Sequence, residues 1–241
     1  MARRRFFVDS IRNGRAELTG EEARHLTRVL RVEPGQHYEI SDNRHAWVAE
    51  VESARKEHII FRMLEALDPE SDGVRVTLLA SMIKFDRYEL LLEKATELGV
   101  SVIVPVQTAR SERGLEHAAP KRIERWRKIA MEASQQSRRS HLPEIEEPVE
   151  FKAAIDRKAA ARLFLDEARD GTPLLKALPD ARTAEDTVAV LTGPEGGWTD
   201  AEREAAIAAG WRQVSLGRRI LRAETAAIAA LALIQAAWQI E

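Results

Sequence analysis

Residues Leu191–Ala230 run LTGPEGGWTDAEREAAIAAGWRQVSLGRRILRAETAAIAA. Two glycine-bearing turns punctuate this stretch, Gly193-Pro194-Glu195-Gly196-Gly197 and Leu216-Gly217-Arg218-Arg219-Ile220-Leu221-Arg222-Ala223-Glu224-Thr225, each after a short apolar run. Between them a helix has both of its ends written out. Thr199 and Glu202 form a capping box for Asp200–Ala209, and Gly210 stops it. Irregular, glycine-bearing backbone beside strand ends is where folded chains place ligands.

Upstream, the rhythm is that of alternating strands and helices. Val74–Ile83 and Val100–Val106 are nearly continuous apolar runs, as strands buried on both faces should be. Phe85–Leu98 carries Phe85, Tyr88, Leu91, Leu92, Ala95 and Leu98 on one helical side, and Gly99 ends it. Lys121–Ser140 repeats the pattern with Ile123, Trp126, Ile129, Ala130 and Ala133, and its basic residues lie largely off that stripe. Leu163–Asp166, Val188–Thr192 and Val214–Leu216 read as strands, with helices at Thr172–Leu178 and Glu224–Gln239. The alternation predicts an α/β domain with a mainly parallel sheet, whose ligands sit beyond the carboxyl ends of the strands. Both glycine turns lie at such ends.

The N-terminal part differs. Arg4–Val8 and Ala16–Leu18 flank an Asn13-Gly14 turn, and a helix opening at Thr19 carries His25, Leu26, Val29 and Leu30 as its apolar face until Glu33-Pro34-Gly35 stops it. Tyr38–Ser41, Ala46–Val51 and His58–Leu64 read as further strands, so a small β-barrel or sheet domain is expected before a boundary at Asp68–Gly73.

Composition narrows the chemistry. The chain has 241 residues, no cysteine and six histidines without metal-ligand spacing, so thiolate chemistry and a zinc site are disfavoured. No Gly-x-Ser-x-Gly elbow occurs, and the first turn lacks the Walker lysine and the dinucleotide spacing. The apolar run at Phe6–Val8 is too short for a signal-peptide core, and no run reaches the length of a membrane span. A cytoplasmic protein without membrane contact is expected. Net charge is only −2, yet Met1–Arg31 holds eight arginines against four acids, and Gln107–His141 holds nine bases against four acids. Such patches are compatible with a polyanion. Arg24, Arg28 and Arg31 recur at helical spacing, beside Arg3, Arg4 and Arg5. Solvated surface charge explains the same residues, and a tight strand-to-helix turn explains the first glycine turn. Glu224 is equally an ordinary answer to a helix dipole.

Several ordered motifs together carry more. Gly193-Pro194-Glu195-Gly196-Gly197 followed by Leu216-Gly217-x-Arg219-Ile220-Leu221-Arg222-x-Glu224-Thr225-Ala226 resembles the ribosomal RNA small subunit (16S rRNA) uracil-N3 methyltransferase family of the SPOUT superfamily. His25-Leu26-x-x-Val29-Leu30-Arg31, Lys84 with Glu93–Val100 and Pro105, and Arg125-Trp126 through Gln136-Ser137-x-Arg139 and Pro143 extend the resemblance over essentially the whole chain.

The resemblance implies a PUA-like β-barrel RNA-binding domain over 1–67 and an α/β, SPOUT-type methyltransferase domain with a C-terminal trefoil knot over 74–241. It implies S-adenosyl-L-methionine as cofactor, a homodimer, and one uridine of 16S ribosomal RNA, free or in the small ribosomal subunit, as target. The cofactor residues it implies are Leu165, Thr192, Gly193, Glu195, Gly196, Gly197, Leu216, Gly217, Ile220, Leu221, Arg222, Thr225 and Ala226. Arg222 is the expected stabiliser of charge developing on the uracil, and Glu195 the expected proton acceptor. Arg5, Arg28, Arg31, Lys84, Arg138 and Arg139 are the expected RNA contacts, chosen by charge and placement, and no metal is expected. Two other readings stand beside this one: a ribose 2′-O methyltransferase of the same superfamily, and a non-catalytic RNA-binding factor of ribosome assembly.

Overall fold

The alternating N-terminal sequence forms six strands and one helix: β1 (Arg5–Phe7), β2 (Ile11–Arg12), β3 (Arg15–Thr19), α1 (Gly20–Arg28), β4 (His37–Ser41), β5 (Ala46–Arg55) and β6 (His58–Ala66). The structure, a computed structural model, describes residues 4–68, 73–167 and 171–239. Arg3, and residues 69–72 of the boundary expected at Asp68–Gly73, lie outside the described residues. The chain divides into two units, Met1–Ser71 with Ser134–Leu142, and Asp72–Ala133 with Pro143–Glu241.

In the first unit the strands are ordered β1-β4-β5-β6-β3-β2, and all neighbours are antiparallel except β1 and β4. The hairpin β2–β3 turns on Asn13 and Gly14, with φ of 50° and 71°. Positive φ at both central residues is what a tight two-residue hairpin demands, and Asn-Gly supplies it at least cost. Phe6, Leu18, Leu26, Ile40, Val51, Ile59 and Phe61 fill the core.

The helix α1 is shorter than its apolar spacing suggests. It ends at Arg28, and Arg31 turns the chain with a φ of 50°. The Val32 amide then donates to the Leu26 carbonyl. Val32 therefore takes the core position expected of Val29, which is left 64% exposed.

Two of the arginines expected to face RNA are instead part of the interior of this unit. Arg5 is 2% exposed. Its guanidinium donates to Glu39 Oε2 at 3.1 Å, to the Arg138 carbonyl at 2.7 Å and to Ser140 Oγ at 2.9 Å. Arg139 is buried as well. Arg138, partly exposed, donates to Glu39 Oε1 at 3.0 Å, and Ser41 Oγ donates to the Ser140 carbonyl at 2.9 Å. A buried charge is tolerable only when paired and hydrogen-bonded, so these groups are held to one another and pin residues 134–142 onto β1 and β4.

The second unit contains β7 (Arg75–Ser81), α2 (Phe85–Glu97), β8 (Val102–Gln107), α3 (Leu115–Ala118), α4 (Ile123–Ser137), β9 (Glu144–Ile145), β10 (Val149–Glu150), α5 (Phe151–Ile155), β11 (Ala161–Leu165), β12 (Thr172–Pro173), α6 (Leu174–Ala177), β13 (Thr187–Thr192), α7 (Asp200–Ala208), β14 (Arg212–Ser215) and α8 (Ala223–Trp238). The last turn of α4 counts with the first unit. The sheet is parallel throughout, in the order β10-β8-β7-β13-β11-β14-β12, with β9 also pairing β8.

Both faces of this sheet are covered, which is why its strands read as unbroken apolar runs. Leu78, Ile103, Leu163 and Val190 join α2, α4 and α8 on one face. Leu79, Val104, Phe164 and Leu191 join Trp198, Ala206 and Trp211 on the other. Gln235, which breaks the apolar run of α8, is buried and donates to the carbonyl of Gly99 at 3.2 Å, satisfying the end of α2.

Candidate functional site

Three loops leave the carboxyl ends of neighbouring strands β13, β11 and β14 and enclose a cavity of about 360 Å³. The loop after β11 contributes Leu165, Asp166 and Glu167. The glycine turn after β13 contributes Thr192, Gly193, Pro194, Glu195, Gly197 and Trp198. The loop after β14 contributes Ser215, Leu216, Gly217, Arg219, Ile220, Leu221 and Arg222, and α8 adds Ala223 and Ala226.

Trp198 is the pillar of this arrangement. Its ring is buried against Phe164, with centroids 4.7 Å apart, and its Nε1 donates to the Leu165 carbonyl at 2.8 Å. One side chain thus ties the glycine turn to the end of β11. It also explains Gly193. A Cβ at that position would stand 2.9 Å from Trp198 Cε2, closer than carbon atoms tolerate. Gly197 adopts a φ of 66°, which glycine enters without strain.

Arg110 braces the same turn from outside the sheet, donating to the carbonyls of Gly196 at 2.9 Å and Trp198 at 3.2 Å. Downstream, the capping box is complete: the Glu202 amide donates to Thr199 Oγ1, and the Thr199 amide donates to Glu202 Oε2. In the third loop the Gly217 amide donates to Ser215 Oγ at 3.1 Å, and Gly217 has a φ of 115°.

Charge is distributed unevenly around the cavity. Glu195 Oε1 accepts from Arg87 Nη1 at 3.2 Å, a pair at the rim between α2 and the glycine turn. Asp166 is buried and accepts from Arg203 Nε at 2.7 Å and Gln213 Nε2 at 2.9 Å. That hydrogen bond from Arg203 holds the guanidinium proton more tightly and raises its pKa above the ordinary value. Among the described residues, the side chains of Glu167, Arg218, Arg219 and Arg222 take part in no hydrogen bond or ion pair. The cavity therefore keeps one uncommitted carboxylate beside Gly197 and uncommitted guanidiniums on the third loop.

Of the residues expected around a cofactor, Leu165, Thr192, Gly193, Glu195, Gly197, Leu216, Gly217, Ile220, Leu221, Arg222 and Ala226 line the cavity. Gly196 and Thr225 do not. Gly196 is turned onto Arg110, whose Cβ lies 3.1 Å from where a Cβ on Gly196 would be. Thr225 is on α8, where Ala223 and Ala226, three residues apart, take the cavity side and rotate Thr225 away from it. Glu224 is buried, does not line the cavity, and keeps Oε2 without a partner among the described residues.

Arg87, Arg110, Asp166, Glu167 and Trp198 were not singled out by sequence reasoning. For Trp198 a signal existed: a tryptophan directly after a glycine turn has to put its ring somewhere, and the turn's own glycines make the room. Arg87 and Arg110 are distant in sequence and gave none. Arg28, Arg31 and Lys84 are exposed, without side-chain partners among the described residues. Arg125 on α4 and Arg122 just before it are both bound by Glu89, whose carboxyl the Arg125 hydrogen bonds hold below its usual range. No group of three or more His, Asp or Glu that could hold a metal occurs among the described residues. None of their helices is long and apolar enough to cross a membrane.

Comparison with known proteins adds to this geometry. Residues 70–235 match the RNA methyltransferase domain and residues 18–64 the RNA methyltransferase PUA domain. The chain is 34% identical to the Ribosomal RNA small subunit methyltransferase E of Synechocystis sp. over 91% of its own length and 72% of that protein. It is 30% identical to the same-named protein of Bacillus subtilis, over 90% of its length and 88% of that one. The crystal structure of a Ribosomal RNA small subunit methyltransferase E from Neisseria gonorrhoeae bound to S-adenosyl methionine superposes with a TM-score of 0.87, at 31% identity and 98% coverage of each chain.

Proposed function

We propose a function from the premise that the chain belongs to the ribosomal RNA small subunit methyltransferase E family. The protein is an S-adenosylmethionine-dependent methyltransferase of small-subunit ribosomal RNA, and its target atom is N3 of a uridine in 16S RNA. The observation that carries this reading is the cavity, which has an apolar wall, glycines in two of its loops and free guanidiniums on one loop.

The residues suit the cofactor. About 360 Å³ is within the range of small-molecule sites. Leu165, Leu216 and Leu221 offer apolar cover, while Gly193, Gly197 and Gly217 line the cavity without side chains and let an adenosine approach the backbone closely. The uncommitted Glu167 suits a ligand that carries positive charge. When bound, S-adenosylmethionine supplies a methyl group on a positively charged sulfur.

The chain's own task is to orient the uracil and remove its N3 proton. Glu195 accepts that proton, with Arg87 fixing the direction of its carboxylate through Oε1. Arg222 stabilises the negative charge the uracil gains as the proton leaves.

The first unit holds RNA through Arg28, Arg31 and the exposed part of Arg138, and in the second unit Lys84 makes a contact of its own. Arg5 and Arg139 are buried and belong to the frame instead. A knot is proposed over β11–α8. In its support, the chain passes from β13 to the far side of β11 to make β14, then returns to pack α8 on β7 and β13. A homodimer working in the cytoplasm completes the reading, and light scattering tests its mass.

The decisive experiment incubates the purified protein with labelled S-adenosylmethionine and either 16S RNA or small subunits, then maps the modified nucleotide by mass spectrometry. 3-Methyluridine is the expected product. A methyl on a ribose 2′ oxygen moves the target atom, and calorimetry without cofactor binding removes the reading altogether.

A further inference from the structure

Ile220 is 81% exposed, the most exposed large hydrophobic side chain among the described residues. It is neither at a chain end nor on a helix face awaiting a neighbour. It sits in the loop between β14 and α8 and lines the mouth of the cavity. Leaving a β-branched aliphatic side chain in water gains the fold nothing.

Its neighbours say what covers it. Arg218, Arg219 and Arg222 flank it on both sides, and none has a side-chain partner among the described residues. Free guanidiniums bracketing one apolar side chain complement a nucleic-acid strand: phosphates for the cations, and a base face or base gap for the aliphatic group.

The proposed reaction adds a requirement. N3 lies on the pairing edge of uracil, so a target held in a paired and stacked strand has to be turned out into the cavity before any residue can reach it. Turning a base out leaves a gap between its former neighbours. An apolar side chain at the cavity mouth is in the place to fill it.

We propose that Ile220 is an unstacking wedge, inserted into the RNA stack beside the target uridine while the flanking arginines hold the adjacent phosphates. This deepens the function proposed above and rests on it. It assigns Ile220 to RNA rather than to the cofactor, and leaves Leu216 and Leu221 as the cofactor's apolar cover.

The test uses the full chain and a 16S RNA fragment containing the mapped uridine. Ile220→Ala is expected to lower kcat/KM for that fragment at least tenfold, with S-adenosylmethionine affinity by calorimetry within twofold of wild type. Ile220→Leu retains most activity. Replacing the nucleotide 3′ to the target with an abasic ribose, which weakens the stack in advance, restores Ile220→Ala to within a few-fold of wild type. A parallel loss of cofactor affinity would make Ile220 a cofactor contact, and a halved mass in light scattering a subunit contact; either overturns the wedge. Unchanged kinetics, or a defect the abasic fragment does not rescue, overturns it as well. A wild type that methylates no RNA overturns the functional reading and the wedge together, whereas an active wild type with an unaffected Ile220→Ala overturns the wedge alone.

Discussion

Arg28-Val29-Leu30-Arg31 and Arg219-Ile220-Leu221-Arg222 have the same make: two arginines around a β-branched residue and a leucine. Val29 and Ile220 are also the two most exposed large hydrophobics among the described residues, at 64% and 81%. Their settings are opposite. The first tetrad closes α1, with Arg28 as its last residue. The second opens α8, with Arg222 at the N-cap and making no side-chain capping bond. A helix carries partial negative charge at its end and partial positive charge at its start. Arg28 is thus rewarded by its own helix, whereas Arg222 is opposed by its own. A cation held where the local field disfavours it, with no side-chain partner among the described residues, supports the role proposed for Arg222 on the uracil.

The largest expected difference is catalytic. Arg222→Ala should lower turnover by about 100- to 1,000-fold, the usual cost of removing a group that stabilises developing charge. The circular dichroism spectrum should stay unchanged. Arg31→Ala should act on KM for RNA instead. Equal turnover losses from the two would erase the distinction.

A smaller effect tests the cavity that only the second tetrad has. Gly193→Ala puts a Cβ against the Trp198 ring, and S-adenosylmethionine affinity should fall about tenfold, some 1.4 kcal/mol. RNA affinity measured without cofactor should be retained. Next comes the salt dependence of RNA binding. Arg28→Ala should weaken binding a few-fold and reduce the slope of log K against log salt by about 0.7, as expected for one phosphate contact to a single strand.

The smallest prediction concerns stability and has opposite signs at the two sites. Arg28→Gln should destabilise by about 0.5 kcal/mol and Arg222→Gln should stabilise by a similar amount, both through the helix dipole. Thermal melting at low ionic strength reads both. Shifts of the same sign would mean that the charges answer to something other than their helices.

Much of this was legible beforehand. The parallel sheet followed from apolar runs broken by glycine, and the capping box at Thr199 from four residues of sequence. The two glycine turns could be placed at strand ends because strand and helix periods differ. What failed to show was whatever depends on contacts distant in sequence. Arg5 looked like a surface cation because its partners Glu39, Arg138 and Ser140 lie 34 to 135 residues away. Arg87 and Arg110 reach the glycine turn across 86 to 108 residues. Val29 was expected inside because helical spacing continues through it, but the chain reverses at Arg31 and brings Val32 to the core instead. Charge type and spacing identify candidates for a surface, and only packing says which of them is already taken.

In descent, Gly193 and Trp198 can change only in sequence. While the indole stands, any side chain at position 193 collides with it. Shrinking the indole first releases the Leu165 carbonyl and opens a void beneath the cavity floor. Either order passes through an impaired ancestor. The pair therefore acts as a ratchet, and lineages that acquired both residues would be expected to keep both long after the charged rim around them had drifted.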